Sequence, residues 1–357
     1  MSKHLLLDLS FDTCEKIFAK LKLKNFIVKQ IFHWIYQKNI YNFDKMTNIS
    51  LNSQKIIKQN FAIVFAKIID INIDKKHETF KFLVQFHDKN SVEMVVMKFG
   101  YGWTICLSSQ VGCSMQCKFC ASGMRIKKRD LTPSEFVMQY LLAKKYIFDR
   151  FHEKITNIVI MGIGEPFDNF TNLVEALKII TNPYGMAIGP NHITVSTCGI
   201  CPKILQLAKL MPKINLAVSL HAPNDAIRKQ LMPINNAYNL NLLLRTCKKY
   251  CHLTKKRITL EYILLENIND HKTDAIELIK KLKGINCYVN LIPYNEINEC
   301  KFARSKKINI FFNTLKQNKI LVKIRQERGG TINAACGQLR IKYEDDKRYF
   351  LSNLVGE

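Results

Sequence analysis

Residues 103–120 read Trp103-Thr-Ile-Cys106-Leu-Ser108-Ser-Gln-Val-Gly-Cys113-Ser-Met-Gln-Cys117-Lys-Phe-Cys120, an apolar strand followed by cysteines spaced C-x3-C-x2-C. Electron-carrying four-iron clusters take four cysteines. Structural zinc likewise closes a tetrahedron with four ligands. Three thiolates instead hold a four-iron cluster by three of its irons and leave the fourth open to a substrate or cofactor. The plainer alternatives are a chance group of thiols in a cysteine-rich chain, or half of a zinc site. So compact a set of three points to a cluster that does chemistry.

Downstream, strand and helix patterns alternate. Strands are expected at Trp103–Ser108, Ile155–Met161, His192–Thr197, Ile214–Leu220, Arg257–Leu264, Cys287–Ile292 and Ile320–Arg325. Helices are expected between them at Pro133–Phe148, Phe170–Thr181, Pro202–Leu210, Asn239–Cys251, His271–Lys283 and Ser305–Gln317. Apolar strands alternating with helices mean an α/β fold with a parallel sheet covered by helices. Six or so units suit a partial (β/α)6 barrel. Cys113–Cys120, Gly162–Glu165, Ser196, Ser219–His221 and Asn295 each follow or end a strand, and a barrel brings those ends to one mouth. Upstream, apolar spacing of three and four gives helices at Thr13–Lys22, Lys29–Lys38 and Ser53–Phe61. Strands Thr79–Phe86 and Ser91–Lys98 flank a turn at His87-Asp88-Lys89-Asn90. The expected organisation is a basic helical N-terminal domain (1–76), a β-hairpin extension (77–98), the barrel core (99–326) and a C-terminal segment (327–357).

The chain of 357 residues carries 54 Lys and Arg against 29 Asp and Glu, a net charge of +25. A genome rich in A and T inflates lysine, but it does not explain the shortage of acids. A polyanion, above all nucleic acid, is the expected partner. No apolar run is long enough to span a membrane, and no export signal opens the chain, so a cytoplasmic location is expected. Twelve cysteines there argue for metal binding or catalysis rather than a disulfide framework.

The run Cys113-Ser-Met-Gln-Cys117-Lys-Phe119-Cys120, with an aromatic before the last cysteine, resembles the cluster loop of radical S-adenosylmethionine (SAM) enzymes. Further segments resemble the bacterial adenine-C2 RNA methyltransferases of the RlmN family: Ser108-Ser-Gln-Val-Gly-Cys113, Met161-Gly-Ile-Gly-Glu-Pro166, Ser219-Leu-His-Ala-Pro-Asn-Asp225, Leu291-Ile-Pro-Tyr-Asn295 and Asn333-Ala-Ala-Cys-Gly-Gln-Leu339. The likeness runs in order from about residue 80 to 342. It implies a radical SAM-type barrel, one [4Fe-4S] cluster on Cys113, Cys117 and Cys120, and two SAM molecules per turnover. It also implies SAM contacts at Gly164, Glu165, Ser196, Ser219, Leu220, His221 and Asn295. Read alone, the glycine-rich turn at Gly162–Glu165 is a common feature, and His221 is equally readable as structural.

Carbon 2 of adenine lies between two ring nitrogens and is too electron-poor to attack a SAM methyl group, so radical addition is required and the cofactor carries that step. By the resemblance, Cys336 takes a methyl group as a thiolate. A deoxyadenosyl radical then draws hydrogen from it, and the carbon radical adds to the adenine as a protein–RNA adduct. Cys106 resolves that adduct through a transient disulfide with Cys336, and Glu93 accepts the proton. Alone, Cys336 reads as a small buried thiol and Cys106 as a core thiol or a fourth cluster ligand; strand placement points Cys106 away from the loop. Glu93, between Val92 and Met94, reads equally as a solvent-facing strand residue. Cys198 and Cys201, with Cys247 and Cys251, read as packing thiols rather than an auxiliary metal site. The run Lys127-Lys-Arg129 reads as a solvated face or a phosphate clamp for a flipped base. Family members carry a glycine pair and Arg-Asn-Leu where this chain has Met124-Arg-Ile-Lys-Lys-Arg-Asp-Leu131.

The expected function is thus methylation of carbon 2 of an adenosine in 23S rRNA near the peptidyl-transferase centre, and of the adenosine 3′ to some tRNA anticodons. A flavodoxin- or ferredoxin-type donor would supply electrons to a monomeric enzyme. The nearest alternative is the related resistance branch that methylates carbon 8 of the same rRNA base. Glu165-Pro166 and the Ser219–Asp225 segment favour C2. A non-catalytic iron–sulfur RNA-binding sensor would leave Cys336 and the SAM-type segments unexplained.

Overall fold

The computed structural model describes residues 3–124, 126–296, 300–326 and 332. Its centre is a ten-stranded sheet whose strands lie side by side in chain order. They are β1 (Lys67–Asp74), β2 (Thr79–Gln85), β3 (Ser91–Phe99), β4 (Gly102–Cys106), β5 (Ile155–Ile160), β6 (Ile193–Thr197), β7 (Asn215–Ser219), β8 (Ile258–Leu264), β9 (Cys287–Pro293) and β10 (Val322–Ile324). Strands β1 to β4 pair antiparallel. From β4 to β10 every pairing is parallel. Helices α4 (Pro133–Phe151), α5 (Phe170–Thr181), α6 (Cys201–Leu210), α7 (Asp225–Leu231) with α8 (Leu240–Thr254), α9 (Lys272–Leu282) and α10 (Ile308–Gln317) fill the six crossovers. This is the expected radical SAM-type partial (β/α)6 barrel, with a seventh parallel strand closing the series.

Local chemistry sets the starts of these helices. Pro133 opens α4, where the Thr132 amide donates to Glu135 Oε2 at 3.0 Å. Asn224 and Asn239 accept the Ile227 and Leu242 amides at 3.0 and 2.9 Å, capping α7 and α8. The strands are not apolar on both faces. In β6, Ile193, Val195 and Thr197 are buried while Thr194 and Ser196 are half-buried. The apolar face packs on the helices, and the polar face looks into a lumen.

The N-terminal helices α1 (Phe11–Lys20), α2 (Phe26–Phe32) and α3 (Leu51–Asn60) share one continuous apolar core with the barrel. Phe11 stacks on Tyr184 at 5.1 Å, and the Ser134 amide donates to Asp8 Oδ1 at 2.8 Å. One strand was not expected. Residues Lys67–Asp74, read within a helical unit ending at 76, form β1, so the extension has three antiparallel strands and not a two-stranded hairpin. The hairpin turn itself is as expected, with Lys89 at φ +65° and Asp88 accepting from the Asn90 amide at 3.0 Å.

Candidate active site

The C-terminal ends of the parallel strands surround a cavity of about 300 Å³. Met161 after β5, Ser196 of β6, Ser219 of β7, Glu261 of β8, Ile292 of β9 and Arg325 after β10 all line it. On a flat sheet β5 and β10 would be five strand spacings, roughly 24 Å, apart. The sheet therefore curls, and its curl makes the mouth. Cys113, Cys117 and Cys120 line the same cavity, with Gly164, Glu165, His221 and Asn295.

Register places further residues on this lumen face. Ser219 pairs with Glu261, and Glu261 with Asn290. On the other flank Cys106 pairs with Val95 of β3, and Glu93, two residues earlier, points the same way. Glu93 and Cys106 are both buried. Glu93 is thus not the solvent-facing residue its alternation allowed: it lies on β3 and is buried on the lumen side of the sheet. Neither residue lines the cavity wall itself. Cys336 lies outside the described residues.

The cysteine loop is anchored by its backbone. Ser109 and Gln110 amides donate to the Ile163 carbonyl at 2.8 and 3.2 Å. Gln110 Oε1 accepts the Glu165 amide at 2.9 Å, and its Nε2 donates to Asp130 and Asp168 at 2.8 Å each. Asn169 Nδ2 donates to the Ser109 and Leu131 carbonyls at 2.9 and 2.7 Å. The Ser108-Ser-Gln segment and the Gly162–Glu165 turn are therefore one hydrogen-bonded unit. Gly164 sits at φ +104°, and a Cβ there would lie 2.6 Å from Gln110 Cβ. Gly164→Ala should therefore cost about 2 kcal/mol or more in unfolding free energy, from backbone strain plus overpacking. Urea denaturation checks this, and an unchanged midpoint would contradict it.

Glu165 is buried, which raises its pKa, while its carboxylate accepts the Cys198 amide at 2.7 Å and the Phe167 amide at 3.0 Å. Its first task in this structure is to tie the β5 and β6 turns together. His221, at φ +57°, accepts the Ile263 amide on Nδ1 at 3.0 Å and meets Phe119 edge-on at 4.8 Å. That acceptance puts the neutral ring's proton on Nε2. Burial, then repulsion from Arg228, brings its pKa down to about 3. An unfolded histidine titrates near 6.5, so the unfolded chain binds a proton that the fold refuses. The stability at this site is complete above about pH 6.5 and is lost as pH falls toward 3. His221→Asn keeps an acceptor but cannot titrate. Its stability should fall less steeply between about pH 6.5 and 5, by up to about 1.4 kcal/mol per unit. Parallel pH–stability lines for the two proteins would overturn this.

The phosphate-clamp reading of Lys127-Lys-Arg129 is corrected in part. Lys127 pairs with Asp168 at 2.8 Å and Asp130 at 2.9 Å. Arg129 pairs with Glu135 at 2.7 and 2.8 Å and with Asp88 at 2.6 Å. These two cations brace the loop internally; Lys128 alone of the three is exposed. The four packing cysteines are as expected: Cys198, Cys201, Cys247 and Cys251 are buried, with thiol pKa values raised chiefly by burial. Cys198 also reaches the cavity wall, which the sequence did not suggest. Glu261 and Arg228 were missed as well: a lone glutamate in Ile258–Leu264 was the available signal for the first, and there was none for the second.

Three thiols on one loop, facing one cavity, fit a cluster held at three corners. Burial pushes Cys113 up to about 12 and raises Cys117 further; charge repulsion from Cys120 adds to both, and from Cys113 to Cys117. Binding iron requires the thiolates, so loading releases protons. Among the described residues no three ligand-type side chains stand at metal spacing; Cys113, Cys117 and Cys120 share the cavity wall.

Comparison with known proteins accords with this geometry. The Radical SAM superfamily profile matches residues 107–279, and the Ribosomal RNA large subunit methyltransferase N-terminal domain matches residues 5–63. A protein of Malacoplasma penetrans named "Probable dual-specificity RNA methyltransferase RlmN" is 48% identical over 92% of this chain and 93% of its own length. The chain belongs to the RlmN family of radical SAM RNA methyltransferases. A Spiroplasma citri protein with the same name is 49% identical over 90% of the chain and 92% of its own. The crystal structure of a radical SAM methyltransferase from Sphaerobacter thermophilus superposes with a TM-score of 0.87 at 36% identity, covering 94% of this chain and 98% of that one. RlmN membership brings a [4Fe-4S] cluster, SAM and an RNA substrate. No helix among the described residues is long and apolar enough to cross a membrane.

Proposed function

We propose that this RlmN-family chain methylates carbon 2 of an adenosine in 23S rRNA, and of the adenosine 3′ to the anticodon in some tRNAs. The observation that carries this reading is the set of three cysteines on the rim of a lumen whose strand ends bear the family's SAM-type segments. Cys113, Cys117 and Cys120 hold the [4Fe-4S] cluster. When bound, the cluster and SAM supply a radical able to attack an unactivated ring carbon. Gly164 allows close backbone approach. Glu165, Ser196, Ser219, Leu220, His221 and Asn295 surround the bound nucleoside, with Ser196 and Asn295 as donors to its ribose or carboxylate. His221, held neutral, offers an Nε2 proton and no charge.

Cys336 is the methyl-carrying thiol, Cys106 the thiol that pairs with it as the product leaves, and Glu93 the proton acceptor. Their support is the family resemblance together with the shared lumen face of Cys106 and Glu93. Two SAM molecules are consumed per turnover, one methylating Cys336 and one serving the radical step. The helical N-terminal domain and the charge of +25 grip the RNA. The enzyme works in the cytoplasm as a monomer, fed electrons by a flavodoxin- or ferredoxin-type donor.

Nucleoside analysis of rRNA and tRNA from cells lacking the gene, with and without a restored copy, tests this proposal. Loss and recovery of 2-methyladenosine in both RNAs supports it. Loss of 8-methyladenosine alone would move the chain to the C8 branch, and loss confined to rRNA would remove tRNA as a substrate.

A further inference from the structure

Arg228 is a fully buried arginine on α7, the helix whose last residue, Leu231, accepts the Lys118 amide of the cysteine loop at 3.0 Å. Its Nε donates to the Leu220 carbonyl at 3.3 Å, and Nη1 to Asn235 Oδ1 at 2.9 Å and the Tyr238 carbonyl at 3.3 Å. Nη2 donates to the Cys198 carbonyl at 2.7 Å and the Ser219 carbonyl at 3.3 Å. Every one of these acceptors is uncharged. Asp225 is linked to the group through Asn235, whose Nδ2 donates to Asp225 Oδ1 at 2.9 Å, and across that gap it adds a weaker charge attraction. Cys198 shares an apolar cluster with Met115, Cys117 and Phe119, which sets the guanidinium directly behind the cysteine loop.

Burying a cation with only neutral partners is costly unless an anion nearby compensates it. A neutral strut would have tied the same carbonyls without that cost. The anion that belongs there is the loaded loop: three thiolates on an oxidised four-iron core leave one net negative charge, and reduction adds a second. Cluster potentials respond to just such nearby charge and hydrogen bonding.

We propose that Arg228 is a positioning residue that supplies the buried countercharge for the thiolate-held cluster, favouring its reduced form and so raising its reduction potential. The inference rests on the reading that Cys113, Cys117 and Cys120 hold that cluster. It also gives one residue two tasks, since the same guanidinium fixes the carbonyl of Ser219 on the cavity wall and that of Leu220 behind it.

The test is an EPR-monitored redox titration of the anaerobically reconstituted full chain without SAM, each cluster taking one electron from dithionite. Arg228→Met and Arg228→Gln should disfavour reduction at least tenfold, a shift of about 59 mV to more negative potential for one electron. Arg228→Lys, which keeps the charge and loses the fork, should shift less than threefold. A swap variant, Asp225→Asn with Asn235→Asp, keeps the net charge and the arginine but brings a carboxylate into direct contact with the guanidinium. It should also move the potential negative, and it decides the matter if the Met and Gln variants fail to load iron. Loaded variants with wild-type potentials would overturn the proposal, as would a Lys variant shifted as far as Met. Wild-type protein without any cluster would instead sink the site reading on which it rests.

Discussion

Cys117→Ala, purified without oxygen and reconstituted with iron and sulfide, will lack the cluster's visible absorbance. It will cleave SAM to 5′-deoxyadenosine at least roughly a thousandfold more slowly than the wild-type chain, the scale expected when one member of a unit is removed. Two thiolates cannot hold the cluster at three corners, and the carboxylates on the cavity wall are already engaged, Glu165 by the Cys198 and Phe167 amides and Glu261 by Asn290. Cys113→Ala and Cys120→Ala should behave alike, because loss of any one corner destroys the same unit. The fold should survive all three substitutions. The loop is held by Gln110, Asn169 and the Leu231 carbonyl, none of which needs a sulfur. Circular dichroism and urea midpoints near wild type, with iron absent, form the expected pair of results. Cys117→Ala with full iron content would show that the ligand set has been misread, and Cys198, the further thiol on the cavity wall, would become the candidate.

The second large effect concerns Cys336. Cys336→Ala should retain the cluster and cleave SAM, yet form no 2-methyladenosine, a loss of at least about a thousandfold. Mass spectrometry of the purified wild-type protein should find a methyl group on the peptide containing Cys336, and the Ala variant should carry none on that segment. The separation is diagnostic, because a cluster ligand would lose iron, SAM cleavage and methylation together. Methylated RNA from the Ala variant would remove Cys336 from the reaction. Cys106→Ala provides the internal control: it should still acquire the methyl group and stall afterwards, with RNA attached to protein.

Much of the fold was legible because its signals are local. Strand cores such as Ile155–Ile160 and Cys287–Pro293 are built around Ile, Val and Leu, with few charges. Pro133, Asn224 and Asn239 mark helix starts by their own hydrogen-bonding chemistry. The missed strand β1, Lys-Ile-Ile-Asp-Ile-Asn-Ile-Asp, is an edge strand, half-buried along most of its length. Its Ile69-Asp-Ile-Asn-Ile-Asp74 stretch does alternate, so the strand signal was present in the sequence; only the bulge between Ile68 and Asp70 interrupts the register, at its start.

The site divides the same way. The cysteine spacing and the glycines at 162 and 164 announce themselves within a few residues. The pairing of Lys127 with Asp168 and of Arg129 with Asp88 joins residues 41 apart, so a basic run that looked free is internally neutralised. Arg228, in Asp225-Ala-Ile-Arg-Lys-Gln, reads as one more charge on a helix surface. Only the fold shows that the short helix turns it inward.

The most direct test of the central claim is EPR of the reduced, anaerobic wild-type protein before and after SAM is added. The account predicts about four irons per chain, the number in one [4Fe-4S] cluster, and a cluster signal whose shape changes on binding because SAM ligates the open iron. A centre indifferent to SAM, capped by a fourth thiolate, or a protein that binds no iron at all, would contradict it.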